Sequence, residues 1–206
     1  MEREFAKEFY KHPDADKGAC PVCNLYYAED YEPDQRYHRK FHRRVVNAFD
    51  PKPDPILARH FAKDGQFIPV GSISCRHLRM RLACVARAFR CEFGCDFTQY
   101  DADYDDGHGF ILANAEGRAI GGTVVRFRQY QDRSASFVMA WVWVAPDYRR
   151  QGRMRLMWEF AFTRFPDLLP EPPFSSAAAR FFAARMDVPE KVRNYAIRQL
   201  EAGFAE

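Results

Sequence analysis

Ala135-Ser-Phe-Val-Met-Ala-Trp-Val-Trp-Val-Ala-Pro-Asp-Tyr-Arg-Arg-Gln-Gly-Arg-Met154 is the stretch that decides the fold of this 206-residue chain. Val138, Ala140, Val142 and Val144 alternate with Met139, Trp141 and Trp143, so 135–144 reads as a strand apolar on both faces, central in its sheet. Pro, Arg and Gly then crowd a turn, and a helix follows to about Phe165 with Met157, Phe160 and Ala161 inward. A buried strand that feeds a helix through a tight turn leaves the first N–H groups of that helix without partners. The helix dipole adds partial positive charge at the same place. Such a turn is a cradle for a pyrophosphate. Arg149, Arg150, Gln151, Gly152 and Arg153 stand where it would form, and Gly152 lets the backbone approach the phosphates closely.

Working outward, two further strands precede this one: Phe110–Ala113, a Glu116-Gly117 turn, and Ala119–Arg128. Before them 75–92 reads as an amphipathic helix with Leu78, Leu82, Val85, Ala86 and Phe89 on one face, and 66–70 as a short edge strand. Asp101–Gly109 is an acidic turn whose Gly and Leu112 fall at the wrong positions for a calcium loop. After the deciding stretch, a Pro-rich break at 166–173 leads to a short strand at Phe174-Ser175 and two helices, from about Ala177 to Met186 and from Pro189 to about Ala202. The reading is an α+β fold with a mixed, mainly antiparallel sheet flanked by helices.

The N-terminal part carries a different signal. Cys20, Cys23, His38 and His42 form C-x2-C-x14-H-x3-H. Two thiolates fit a tight knuckle, and two imidazoles at i and i+4 share one helix face. Together they give Zn²⁺ a closed tetrahedral set, which is structural chemistry. Tyr37, Phe41 and Val45 continue an apolar stripe beside the ligands. The module reads as a small ββα-type zinc finger within residues 1–50. Residues 51–65, opened by Asp50-Pro-Lys-Pro-Asp-Pro55, read as a stiff Pro-rich linker, and 66–206 as the main domain.

Composition limits the rest. The net charge of +3 is too small to name a partner, yet Arg36, Arg39, Lys40, Arg43 and Arg44 gather on the finger helix, which opens that face to nucleic acid. Of the six cysteines two belong to the metal motif, and Cys75, Cys84, Cys91 and Cys95 form no disulfide framework; Cys84, Cys91 and Cys95, with His77 nearby, could suggest a second metal site but read as helix-face thiols. The charged N-terminus is unlike a signal peptide and no apolar run would span a bilayer, so no membrane role is expected. A reduced intracellular setting is expected, cytoplasmic in a bacterium and nuclear in a eukaryote.

Arg149-Arg-Gln-Gly152-Arg-Met154, with the strand before it, resembles the acetyl-CoA-binding segment R/Q-x-x-G-x-G/A of the GNAT acetyltransferases; Met154 departs from the small final residue. With the finger directly before it, most of the chain resembles the cohesin acetyltransferases. The similar parts are Cys20, Cys23, His38, His42, the Phe41-His42-Arg43-Arg44 exit, Lys63–Ile68, the helix around Leu78–Phe93, the Gly109–Val125 hairpin and Trp143-Val144. Ala145-Pro146 stands where that family has a Ser, and the late loop around Phe174–Ala177 lacks its acid. The resemblance implies a GNAT-like fold, structural Zn²⁺, acetyl-CoA bound by Val142, Trp143, Val144 and Arg149–Met154, and direct attack of an amine on the thioester. The reaction needs an oxyanion donor near Val144 and groups to move protons. Ser175 and Ser176 are candidates for a water relay, and Asp147 is a further one that also suits a turn cap. Arg180-Phe181-Phe182 offers no hydroxyl for the leaving thiolate. The expected function is N-acetylation of a lysine or other primary amine of a protein. A small-amine acetyltransferase and a non-catalytic binding module on a worn GNAT fold stand as alternatives.

Overall fold

The computed structural model describes residues 19–202 except 24, 96–98, 104–106, 130–134 and 166. The N-terminal arm and Asp105 and Asp106 of the acidic turn lie outside the described residues. A five-stranded sheet runs in the order β1 (Phe67–Val70), β2 (His108–Ala113), β3 (Ala119–Gln129), β4 (Ala135–Val144) and β5 (Leu169–Pro170). All pairings are antiparallel except β4 with β5, which is parallel. The six α-helices among the described residues are α1 (Glu32–Phe49), α2 (Pro55–Asp64), α3 (Arg76–Phe93), α4 (Arg153–Arg164), α5 (Ser176–Ala183) and α6 (Glu190–Glu201). The expected mixed, mainly antiparallel sheet is present, with β1 at its edge.

Two apolar layers form on opposite faces. On one, Leu82, Val85, Ala86 and Ala88 of α3 meet Val45, Ala48 and Phe49 of α1 and Trp141 and Trp143 of β4, and this cluster also holds Cys20 and Cys23. On the other, Trp158 and Ala161 of α4 meet Phe110, Val125 and Met139, together with Phe182 of α5 and Val192 and Ala196 of α6. The finger helix is thus seated in the domain's own core. It docks through Val45, Ala48 and Phe49, whereas Tyr37, at the head of the expected stripe, is 60% exposed.

Residues 51–54 are non-helical, as their prolines predict, but most of the expected linker 51–65 is the helix α2. Pro55 opens α2, where its missing N–H costs nothing, and Asp54 caps it by accepting from Ile56 N at 2.9 Å and Leu57 N at 3.4 Å. Asp54 N donates to Gly117 O at 3.2 Å, and Arg118 Nη1 to Pro51 O at 2.8 Å, so the segment is tied to the β2–β3 turn. In that turn Gly117 has φ +75°, and a Cβ there would lie 2.3 Å from Asp54 O. The late strand also differs: pairing occurs at Leu169–Pro170, while Phe174 and Ser175 lead into α5.

Candidate functional site

β4 positions the site. Val124 pairs with Trp141 and Val125 with Met139, so Ala140 is an extra residue, a β-bulge. A bulge bends its strand and re-aims the side chains beyond it. Met139 therefore packs on the α4 face and Trp141 and Trp143 on the α3 face, which corrects the simple alternation read from the sequence. β5 pairs only at Val138 and Met139, just before the bulge. Past that point β5 ends, and no strand pairs with β4 on this side among the described residues.

The exposed main chain on the open side can be assigned. Thr123 Oγ1 of β3 donates to Trp141 O at 2.6 Å, and Ala145 N donates to Ile120 O at 2.9 Å, so beyond the bulge the odd-numbered residues 141, 143 and 145 face β3. Val142 and Val144 then turn their N–H and C=O groups to the side beyond β5, where Val144 O accepts from Arg149 Nε.

A 3₁₀ turn at Pro146–Tyr148 leads to the segment 149–152. Arg150 has φ +58° and Gly152 φ +73°, while Arg149 and Gln151 keep negative φ. Left-handed residues at 150 and 152 turn the chain sharply into α4, whose first N–H groups are the anion-binding end of the helix. Gly152 then begins α4 with no side chain capping the helix, and no atom lies within 4 Å of where a Cβ would project. Arg153 Nε is buried without a hydrogen-bond partner. Met154, too large for the resembled pattern, is partly buried and packs against the α4 core cluster.

Arg149 points elsewhere. Its Nη1 and Nη2 donate to Glu92 Oε1 at 2.6 Å and Oε2 at 2.5 Å, and its Nε donates to Val144 O at 2.8 Å. Trp143 Nε1 donates to Glu92 Oε2 at 2.5 Å, and the Arg149 guanidinium lies 5.8 Å from the Trp143 ring centre. Glu92, on α3, has no motif around it and was not singled out from the sequence.

Ser175 is the N-cap of α5, its Oγ accepting from Ala178 N at 3.3 Å, and Ser176 is the first residue of that helix. Phe182 packs edge-on to Trp158 at 5.2 Å and Phe181 lies under Arg185. Asp147 accepts from Gln151 Nε2 through its main-chain oxygen at 3.1 Å.

Cys20, Cys23, His38 and His42 come together with one donor atom of each within 4.8 Å of the others. The knuckle is shaped by Cys20 N donating to Leu25 O at 3.0 Å and by an Ala19–Tyr26 bridge. Cys20 Sγ lies 3.3 Å from His42 Nδ1, and His38 Nε2 is buried with no partner. Tyr27 stacks on the His38 ring at 3.9 Å and fixes its orientation. One proton between the sulfurs holds Cys20 far below the usual thiol range, with His42 adding to the effect. The same bond to Cys20, with burial, pushes Cys23 up. An orphaned imidazole nitrogen beside a thiolate is the donor set zinc completes. Cys91 of α3 donates to Cys23 O at 3.5 Å, and burial raises its thiol to about 11, so it is an inert neighbour.

A second polar cluster lies at the joint of finger and domain. Asp54, 4% exposed, accepts from Arg81 Nε and His77 Nε2, each at 2.7 Å. Burial alone would raise its carboxyl. The His77 bond, the Ile56 N–H and the Arg81 charge outweigh burial and hold it below its ordinary value.

The family model for the zinc-finger of acetyl-transferase ESCO matches residues 11–44, and that for the acetyltransferase (GNAT) family matches residues 79–169. This is a GNAT acetyltransferase with an N-terminal zinc finger like that of ESCO. The GNAT domain implies acetyl-CoA as cosubstrate, and the finger implies structural zinc. Among curated proteins no sequence matches significantly. A solved structure from the mobile metagenome of V. cholerae, integron cassette protein VCH_CASS6, is similar at 11% identity and a TM-score of 0.40. The match covers 66% of this chain and 97% of that one. No helix among the described residues is long and apolar enough to cross a membrane.

Proposed function

We propose that the chain moves the acetyl group of acetyl-CoA to a primary amine, in the first place a lysine side chain of a protein. The observation that carries this is the edge of β4 beyond its bulge, where β5 no longer pairs with it, running into the turn with positive φ at Arg150 and Gly152. In this reading the N–H groups of 150–154, with Arg150, Gln151 and Arg153, receive the pyrophosphate at the α4 N-terminus. Val142, Trp143 and Val144 line the pantetheine path, and a main-chain N–H on the open side of β4 polarises the thioester carbonyl as the amine adds. Arg149 serves by its position in the turn, because its guanidinium is committed to Glu92.

As the C–N bond forms and the C–S bond breaks, one proton leaves the amine and one reaches the thiolate. Ser175 accepts its cap bond and keeps its own O–H for donation, and Ser176 is adjacent; either relays through water in this reading. The finger favours a macromolecular acceptor, since an enzyme of small amines rarely needs such a module. Nucleic acid is a weaker second partner. Arg36 and Arg39 pair with Glu32, so Lys40, Arg43 and Arg44 are the finger-helix cations without an acidic partner among the described residues.

The test is CoA release from acetyl-CoA with lysine-containing peptides and, in parallel, with polyamines. Peptide-dependent turnover is expected. Turnover with polyamines alone reassigns the acceptor, and no turnover with either overturns the enzyme reading.

A further inference from the structure

Glu92 holds three donors with two oxygens: Arg149 Nη1 and Nη2 and the Trp143 indole N–H, all within 2.6 Å. Its side chain is only 13% exposed. Charge-assisted, bidentate bonds of this kind fix geometry as well as adding energy. Arg149 passes the constraint on through Nε to Val144 O, the last carbonyl of β4 on its open side. The next residue, Arg150, sits at φ +58°, a conformation that a non-glycine residue keeps only where its surroundings over-determine it. Anchoring Arg149 on one side and beginning α4 on the other supplies that determination. Phe49, the last residue of the finger helix, packs edge-on to Trp143 at 5.3 Å, so the finger abuts the same network.

We propose that Glu92 is a positioning residue for acetyl-CoA: by locking Arg149 onto Val144 O it preorganises the 149–154 turn for the pyrophosphate. The proposal rests on the reading of that turn as the acetyl-CoA site. It carries a consequence of sign. Were Arg149 a direct phosphate ligand restrained by Glu92, removing the Glu92 charge would free a cation and tighten binding. As a positioning pair, the same change loosens binding.

The experiment compares wild type, Glu92→Gln, Arg149→Gln and the double variant by acetyl-CoA calorimetry and steady-state kinetics. Zinc content and the melting transition check the fold, and the Trp143 indole resonance reports whether the network is broken. Glu92→Gln is expected to weaken acetyl-CoA about tenfold, within the range found between linked sites, and to raise KM with kcat held within about threefold. The double variant is expected to be no weaker than the weaker single one, since both break one network. Arg149→Gln, at a position one-third exposed, keeps the test open if Glu92→Gln does not fold. Unchanged or tighter binding in Glu92→Gln with a shifted Trp143 resonance overturns the proposal. So does additive loss in the double variant. Wild type that fails to bind acetyl-CoA overturns the reading of the turn itself, and the proposal with it.

Discussion

Replacing Asp54 by Ala tests whether the finger and the domain are fused through the segment between them. The carboxylate performs two tasks: it caps α2 at Ile56 N and Leu57 N, and it neutralises Arg81 while holding a hydrogen bond to His77. Loss of an N-cap costs about 1 kcal/mol. Stripping the partner from a fully buried charge costs about 3–5 kcal/mol. Arg81 is 35% exposed, so water recovers much of that, and with the lost His77 bond roughly 1–2 kcal/mol remains. The expected total is about 2–3 kcal/mol, a fall in Tm of about 5–10 °C for a chain of this size. Asp54→Asn keeps a good cap and loses only the charge, so it falls in between.

The pH dependence has a definite sign. The folded carboxyl titrates below its ordinary value, so its stabilisation is present above the unfolded value, about pH 4, and is lost as pH falls through the folded one. The gap between wild type and Asp54→Ala therefore stays open at neutral pH and narrows below about pH 4. Differential scanning calorimetry across pH reads both effects. A variant melting within about 2 °C of wild type at pH 7, or a gap that widens in acid, refutes the reasoning.

Three further outcomes follow from the same contacts. Removing zinc by chelation, or replacing Cys20 by Ser, is expected to lower the single melting transition of the whole chain, because Cys20, Cys23 and Phe49 share a core with Val85 and Trp143; an unchanged domain transition would count against the shared core. Gly117→Ala sets a methyl against Asp54 O at a φ that disfavours it, and a loss of at least about 2 kcal/mol is expected by denaturant unfolding. Gly152→Val strains the turn at φ +73° and is expected to weaken acetyl-CoA by about tenfold or more by calorimetry while zinc content stays at one per chain.

Much of this was legible in the sequence because it is written in periodicity and ligand spacing. The four zinc ligands, β4 at 135–144 and α3 within a residue or so of its ends follow from local pattern alone. The bulge at Ala140 is not, since an extra residue in a uniformly apolar run leaves no mark on composition; only its partner on β3 reveals it. The prolines at 51, 53 and 55 read as an extended linker, although Asp54-Pro55 is also a helix start, and tertiary contacts with Gly117 and Arg81 decided between the two. Tyr37 has the right spacing for the finger's apolar stripe but faces solvent, because α1 docks through its last turn. Glu92 meets Arg149 across 57 positions in sequence, a separation over which residue patterns carry no signal.

Calorimetric titration of the zinc-loaded chain with acetyl-CoA tests the central claim most directly. The account predicts one saturable site per chain, with a Kd on the order of micromolar to submillimolar, competed by CoA. Absence of binding at millimolar acetyl-CoA, from a chain that is folded and carries its zinc, would contradict it.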